Sequence, residues 1–238
     1  MKLFSYVTFC GLLIALLLGV VCGGTVYSYS ILTSKHISVN NTKSEKNKTV
    51  VLDAGHGGID GGAVGLNGTV EKELNLDVVF KLAALLEADG VTVVLTRSGD
   101  YLLETEGASG RKNGDLQARV KIANETPNSV FVSIHMNRFP QESVKGITLY
   151  YSPNHPDGKC LADEVMKNVK QQLQPANKRP IKEADASIYL LHRITVPAIL
   201  VECGFLSNEQ EAALLADETY RMQLAIILKD SILAYLDR

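Results

Sequence analysis

The sequence lacks paired cysteines. Of its four, Cys10 and Cys22 lie in the first apolar stretch, and Cys160 and Cys203 stand far apart with no CxxC spacing. A thiolate zinc site is therefore disfavoured, and two buried free thiols are favoured over a Cys160–Cys203 bridge. The sequence also lacks an excess of either charge: 24 Lys and Arg against 26 Asp and Glu leave a net charge of -2. Without a basic field there is nothing to hold a phosphate backbone, so nucleic-acid binding is unsupported. No internal repeat is present, and the glycine-rich run around Gly57 lacks the Lys and the Ser or Thr of a phosphate-binding loop. What remains is a chain of 238 residues, 46% hydrophobic, enough for one well-packed domain plus an appendage.

The appendage is predicted at the amino terminus. Leu3 to Val26 is almost wholly apolar after Lys2, long enough to cross a bilayer and longer than most signal-peptide cores. An uncleaved signal anchor over residues 1–27 is expected, and the bulky Val21 before Cys22 argues against lipidation there. Residues 28–47 are rich in Ser, Thr, Asn and Lys and are expected to form a flexible linker, with the folded domain over 48–238. Lys35, Lys43, Lys46 and Lys48 run against the usual positive-inside bias, but a large following domain translocates regardless of such charges.

Within the domain, short β-branched runs at Val50 to Asp53, Val91 to Thr96, Val130 to Ile134, Ile147 to Tyr151 and Ala198 to Val201 predict buried strands. Helical spacing lies between and after them: Leu74, Val78, Leu82, Leu85 and Leu86; then Leu161, Val165, Val169 and Leu173; then Leu224, Ile227, Leu228, Ile232 and Tyr235. Gly90 stands where a left-handed cap would close the first helix. The alternation predicts an α/β fold, a single domain with a mostly parallel twisted sheet flanked by helices. Ser98 to Asp115, with four glycines and little periodicity, is expected to be a long surface loop.

Chemistry-bearing residues fall at the ends of these runs. His56 follows the first strand inside a glycine-rich turn, Glu71 opens a helix, His135 follows Ile134, and Glu202 follows Val201. In an open α/β sheet the carboxyl ends of the strands form the ligand-binding rim, so residues scattered in sequence converge there. A lone strand-end histidine is more often a core residue than a ligand, but His56, Glu71 and His135 together make the three-ligand set of a catalytic zinc, which leaves one position for water. Glu73 competes with Glu71 but points about opposite on the helix. Glu202 would be costly to bury unpaired; the bland alternative is a carboxylate bonded to backbone amides, and the functional one is a proton carrier. Cys203 alternates away from Glu202 and is expected to pack, while His155 and His192 are expected to be structural or on the surface. Asn137 and Arg193 are candidates for substrate contact.

With these residues in hand, the chain resembles the zinc-dependent N-acetylmuramoyl-L-alanine amidases, the amidase type 3 family, over Lys48 to Leu236. The motifs that carry the likeness are Asp53 to Gly58 with Glu71 and Lys72, Ser133 to Asn137, and Glu202 to Asn208, with Arg97, Asp100, Leu116, Arg119, Ala123 and Asn124 between the first and second. The resemblance implies zinc bound by His56, Glu71 and His135, with Glu202 as the catalytic glutamate acting on peptidoglycan. The compact domain and single anchor are most similar to the germination-specific, spore-cortex members. These remove the peptide from muramic acid so that a separate deacetylase can form muramic δ-lactam. Some such relatives depend on a lipoprotein partner. The resemblance also implies an anchored domain facing the extracytoplasmic side, in a sporulating cell the space between the forespore membranes, or a secreted domain if the signal is cleaved. Leu190, Leu191 and His192 depart from the Leu-Arg pairing of many relatives. The rivals are a zinc peptidase acting on the stem peptide and a non-catalytic wall-binding scaffold.

Overall fold

The computed structural model describes residues 48–104 and 110–238. The expected anchor and linker fall outside these residues; among those described, no helix is long and apolar enough to cross a membrane. In chain order the elements are β1 (Thr49–Ala54), α1 (Glu71–Ala88), β2 (Thr92–Leu95), α2 (Arg111–Asn124), β3 (Ser129–Asn137), β4 (Thr148–Tyr151), α3 (Asp157–Gln172), β5 (Lys182–Glu183), β6 (Ala198–Phe205), α4 (Glu209–Ala216) and α5 (Glu218–Leu236). The six strands form one sheet in the order β2-β1-β3-β6-β4-β5. Every neighbouring pair is parallel except β4 with β6, which is antiparallel, so the sheet is mixed but mostly parallel.

The period of two along a strand sorts side chains onto two faces. On one face, Val50 and Leu52 of β1, Val132 and Ile134 of β3, and Ile199 and Val201 of β6 pack with the apolar stripes of α1, α3 and α5. On the other, Val51, Phe131, Ala198 and Leu200 pack with Ala123 and with Leu190, Leu191 and Ile194. The same parity continues up the strands, so Asp53, Ser133, His135 and Glu202 share the second face. Register fixes their neighbours: Asp53 lies beside Ser133 and His135 beside Glu202. The strands whose ends carry chemistry are thus the three at the sheet's centre.

Two expectations need correction. The runs ending at Ile134 and Val201 continue as strand to Asn137 and Phe205, so His135 and Glu202 lie within strands rather than just beyond them. Pairing of β3 with β6 carries on through these residues, and the register shifts only between His135 and Asn137. The expected loop from Ser98 to Asp115 holds the first turn of α2. That helix buries Gly114, Asp115, Arg119 and Ala123, a mostly polar face that leaves no hydrophobic periodicity to read. Gly90, by contrast, closes α1 as expected, with φ at 79°.

Candidate active site

The turn after β1 is held by guanidinium groups inserted beneath it. Arg119 is buried and donates to the carbonyls of Ala54 at 2.7 Å and His56 at 2.8 Å, and to Asp53 at 2.6 Å. Arg97, also buried, donates to the carbonyls of Ala54, Gly55 and Lys72. These bonds satisfy backbone carbonyls that a tight turn would otherwise leave bare, and they fix His56 with its φ at 62°, in the left-handed region. Asp53 sits wholly buried beneath, accepting from Thr96, Ser133 and Arg119. Burial alone would raise its pKa, but the Arg119 charge and the two hydroxyl donors outweigh it and hold the carboxyl below its ordinary value.

Above this floor three side chains meet. Glu71, the first residue of α1, lies with Oε1 3.2 Å from Nε2 of His56 and 3.0 Å from Nδ1 of His135. Its other oxygen accepts from the amide of Ala63, and Oε1 also accepts from the amide of Met136 and, at 3.4 Å, from Asn75. Burial would push the Glu71 carboxyl up; the two imidazoles beside it prevail and hold it well below the usual carboxylate range. The His56 imidazole is likewise pulled down by burial, but its bonds to Glu71 and Asp60 more than reverse this and raise its pKa. The two rings stand edge to face with centroids 5.1 Å apart. Glycine makes the approach feasible at two points. A Cβ on Gly55 would come within 2.2 Å of the His135 ring, and one on Gly62 within 2.5 Å of Glu71 Oε2.

This donor set fits a divalent metal. One ligand atom from each of His56, Glu71 and His135 lies within 4.8 Å of the others. Three ligands around a tetrahedral zinc at about 2.0–2.1 Å stand roughly 3.3 Å apart, close to the spacings found between Glu71 and each imidazole. Two imidazoles and a carboxylate are borderline-soft and hard donors of the kind zinc accepts, and both rings are partly exposed, so the cluster is open on one side.

Glu202 comes from β6, in register with His135 and on the same face. Its Oε2 is buried and has no hydrogen-bond partner among the described residues. Burial raises its pKa to about 7; the nearby His135 and His56 oppose the shift and the negative Glu71 adds to it. A carboxyl with that pKa beside a donor cluster of metal-ligand spacing is suited to taking up and releasing a proton near neutral pH. Cys203 points to the opposite face, is fully buried, and has its thiol pKa raised by burial. Among the described residues Cys160 and Cys203 are both free, but only Cys203 is buried; Cys160 is half-buried, against the expectation of two buried thiols.

Other candidates do not join the cluster. The Asn137 side chain accepts from the amide of Arg138, and Arg193 lies over the Tyr189 ring at 4.1 Å. His155 accepts from the amide of Asp157, and His192 is exposed. Glu73 is exposed, as helix geometry predicted. Sequence reasoning gave no role to Asp60, whose Oδ1 lies 3.0 Å from Nδ1 of His56. The signal available was its position four residues after His56 in the same glycine-rich turn. It likewise named Arg97 and Arg119 without seeing that they brace the His56 backbone.

A family model described as N-acetylmuramoyl-L-alanine amidase matches residues 50–234. The germination-specific N-acetylmuramoyl-L-alanine amidase of Bacillus subtilis is 36% identical over 195 residues, 79% of either chain. Among solved structures, the CwlD amidase from Clostridioides difficile in complex with the GerS lipoprotein superposes with a TM-score of 0.75 at 40% identity, covering 80% of this chain and 99% of that one. The amidase AmiC2 of Nostoc punctiforme gives 0.70 at 35% identity, covering 81% and 98%.

Proposed function

The chain belongs to the N-acetylmuramoyl-L-alanine amidase family, and from that membership and the site geometry we propose that it hydrolyses the amide between N-acetylmuramic acid and L-alanine in peptidoglycan, using zinc held by His56, Glu71 and His135. One observation carries the reading: a three-donor cluster of metal-ligand spacing has, one strand away and on the same face, a buried carboxyl with an oxygen left unpaired. When bound, zinc supplies a Lewis acid for the lactyl carbonyl and acidifies water. Glu202 removes the proton from the attacking water as the new carbon–oxygen bond forms. It then delivers that proton to the alanine nitrogen as the carbon–nitrogen bond breaks, leaving a lactyl carboxylate on the sugar and a free amino terminus on the peptide. Its raised pKa suits both halves of this cycle. Arg97 and Arg119 hold the His56 turn so that the cluster exists before substrate arrives.

The germination-specific relative supports a role in the spore cortex, where release of the peptide exposes muramic acid for δ-lactam formation by a separate deacetylase. The substrate lies outside the cytoplasmic membrane, so the catalytic domain over 48–238 faces that side, tethered by residues 1–27 through the 28–47 linker. In a sporulating cell that is the space between the forespore membranes. The solved CwlD complex with a lipoprotein supports a lipoprotein activator as partner here.

The test is mass analysis of peptidoglycan digested by the purified protein, with and without a chelator. Intact glycan strands bearing lactyl carboxylates, together with free peptides, are expected, and the chelator abolishes both. Cleavage within the stem peptide would indicate the zinc peptidase instead, and a protein that binds wall without cutting it would indicate the scaffold.

A further inference from the structure

We propose that Asp60 is a positioning residue that fixes the tautomer and ring orientation of His56, so that Nε2 is the nitrogen presented to the metal. The inference rests on the zinc reading above. An imidazole ligates through one nitrogen only if the other carries the proton, and that proton needs an acceptor. Asp60 Oδ1 stands 3.0 Å from Nδ1 of His56, while Nε2 faces Glu71 at 3.2 Å. The acceptor and the metal-facing side therefore lie on opposite edges of one ring.

The carboxylate is itself held in place. Reciprocal backbone bonds join Gly57 and Asp60, at 2.9 and 3.0 Å, and close a tight turn directly after His56. Oδ1 also accepts from the amide of Gly62 at 3.2 Å, and Oδ2 lies 3.6 Å from Nζ of Lys112 on α2. Lys112 is largely exposed, and such a pair contributes little on its own. The Gly62 bond is different, because that glycine packs against the site: an added Cβ there would lie 2.5 Å from Glu71 Oε2 and 2.7 Å from His56 Cδ2. The turn thus touches the ring, its acceptor and the neighbouring ligand at once. A carboxylate behind a ligating histidine raises the basicity of the bound nitrogen and removes the entropy of ring rotation.

His135 has a different arrangement. It faces Glu71 through Nδ1 at 3.0 Å, and its ring occupies the space that a Cβ on Gly55 would fill, with Cε1 and Nε2 2.2 Å from that position. No outer carboxylate lies behind His135 among the described residues.

The experiment measures zinc affinity of the full chain in detergent by competition with a chromogenic chelator, for the parent, Asp60→Ala, Asp60→Asn and His56→Ala. Loss of an outer carboxylate of this kind weakens metal binding about 10–100-fold, so Asp60→Ala is expected to fall by that amount. Asp60→Asn, which keeps an acceptor oxygen without the charge, is expected to fall less. Nitrogen-15 spectra of the zinc-loaded parent should show His56 protonated on Nδ1, a readout that a purely structural role for Asp60 would not require and one that holds even if Asp60→Ala does not fold. Zinc binding by Asp60→Ala within about twofold of the parent, or His56 ligated through Nδ1, overturns the proposal while leaving the metal site intact. A parent that binds zinc no better than His56→Ala overturns the metal site itself, and this inference with it.

Discussion

Glu71 and Glu202 both neighbour His135, one through its ring and the other across the sheet, and are driven in opposite directions. Glu71 receives two imidazoles and three amide donors, from Ala63, Met136 and Asn75, and stays ionised. Glu202 emerges from Ile199, Leu200 and Val201 with one oxygen buried and unpaired, and its pKa climbs to about 7. The residue type is the same; the surroundings make one a permanent anion and the other a proton acceptor and donor. The contrast extends to their supports. The half of the rim bearing His56 and Glu71 rests on a dense polar floor of Asp53, Arg97, Arg119, Ser133 and Asn75, whereas Glu202 rests on apolar packing.

The largest effect should come from exchanging each carboxylate for its amide. Glu202→Gln keeps the shape and removes the proton carrier, so the rate of peptide release should fall about 10²–10⁴-fold while bound zinc, read by elemental analysis, is unchanged. Glu71→Gln should lose both zinc and activity. If Glu202→Gln lost zinc, or Glu71→Gln kept it, the division of labour between the two would be wrong.

The polar floor can be broken next. Arg119 is the partner of the fully buried Asp53, and it also binds Asp115 and two backbone carbonyls. Removing one member of a buried pair strands the other charge, so Arg119→Ala should cost about 3–5 kcal/mol in urea unfolding. No substitution confined to the apolar surroundings of Glu202 strands a charge in this way.

The two carboxyls also predict stability slopes of opposite sign in the metal-free protein. Asp53 has a folded pKa below its ordinary 3.8, so its contribution is complete above that value and is lost as pH falls through the lower folded one. Glu202 has a folded pKa near 7 against an ordinary 4.5, so its contribution is complete below 4.5 and is lost as pH rises through 7. His56, whose pKa is raised above 6.5, acts with the same sign as Glu202. Each single group gives at most about 1.4 kcal/mol per pH unit. Urea midpoints across pH should fall at both ends. Glu202→Gln should reduce the neutral limb, leaving the shares of His56 and Glu211, and Asp53→Asn should reduce the acid limb, leaving the share of Glu71.

How much of this was legible depends on what each element buries. The β-branched strands and the helices α1, α3 and α5 bury apolar side chains, and a hydrophobic period reveals them. The helix α2 buries Asp115 and Arg119 and carries Gly114, so its pattern is hidden in the stretch expected to be a loop. β5 is two charged residues, Lys182 and Glu183, and α4 is two turns long; neither offers a period to count. The four residues of the rim were visible because strand and helix ends are visible. Their supports were harder to read: Asp60 left only its place four residues after His56, inside a turn without period, and Arg119 lies 63 residues from the His56 carbonyl it binds. A partner as distant as Arg119 is fixed by tertiary packing and leaves no local spacing.

The third motif, Glu202 to Asn208, holds both kinds of residue and offers the finest cut between chemistry and support. Asn208 precedes α4, where its side-chain oxygen accepts from the amide of Glu211 at 3.0 Å and its nitrogen donates to the Glu142 carbonyl at 2.7 Å. The first bond caps one of the amides a helix start leaves unpaired. The second ties the segment after β3 to the end of β6. Neither reaches the metal cluster. Asn208→Ala should therefore cost about 1 kcal/mol of stability, the usual worth of such a cap, with kcat unchanged. A large fall in kcat from this substitution, with stability intact, would mean that the whole motif is catalytic and that Glu202 does not act alone within it.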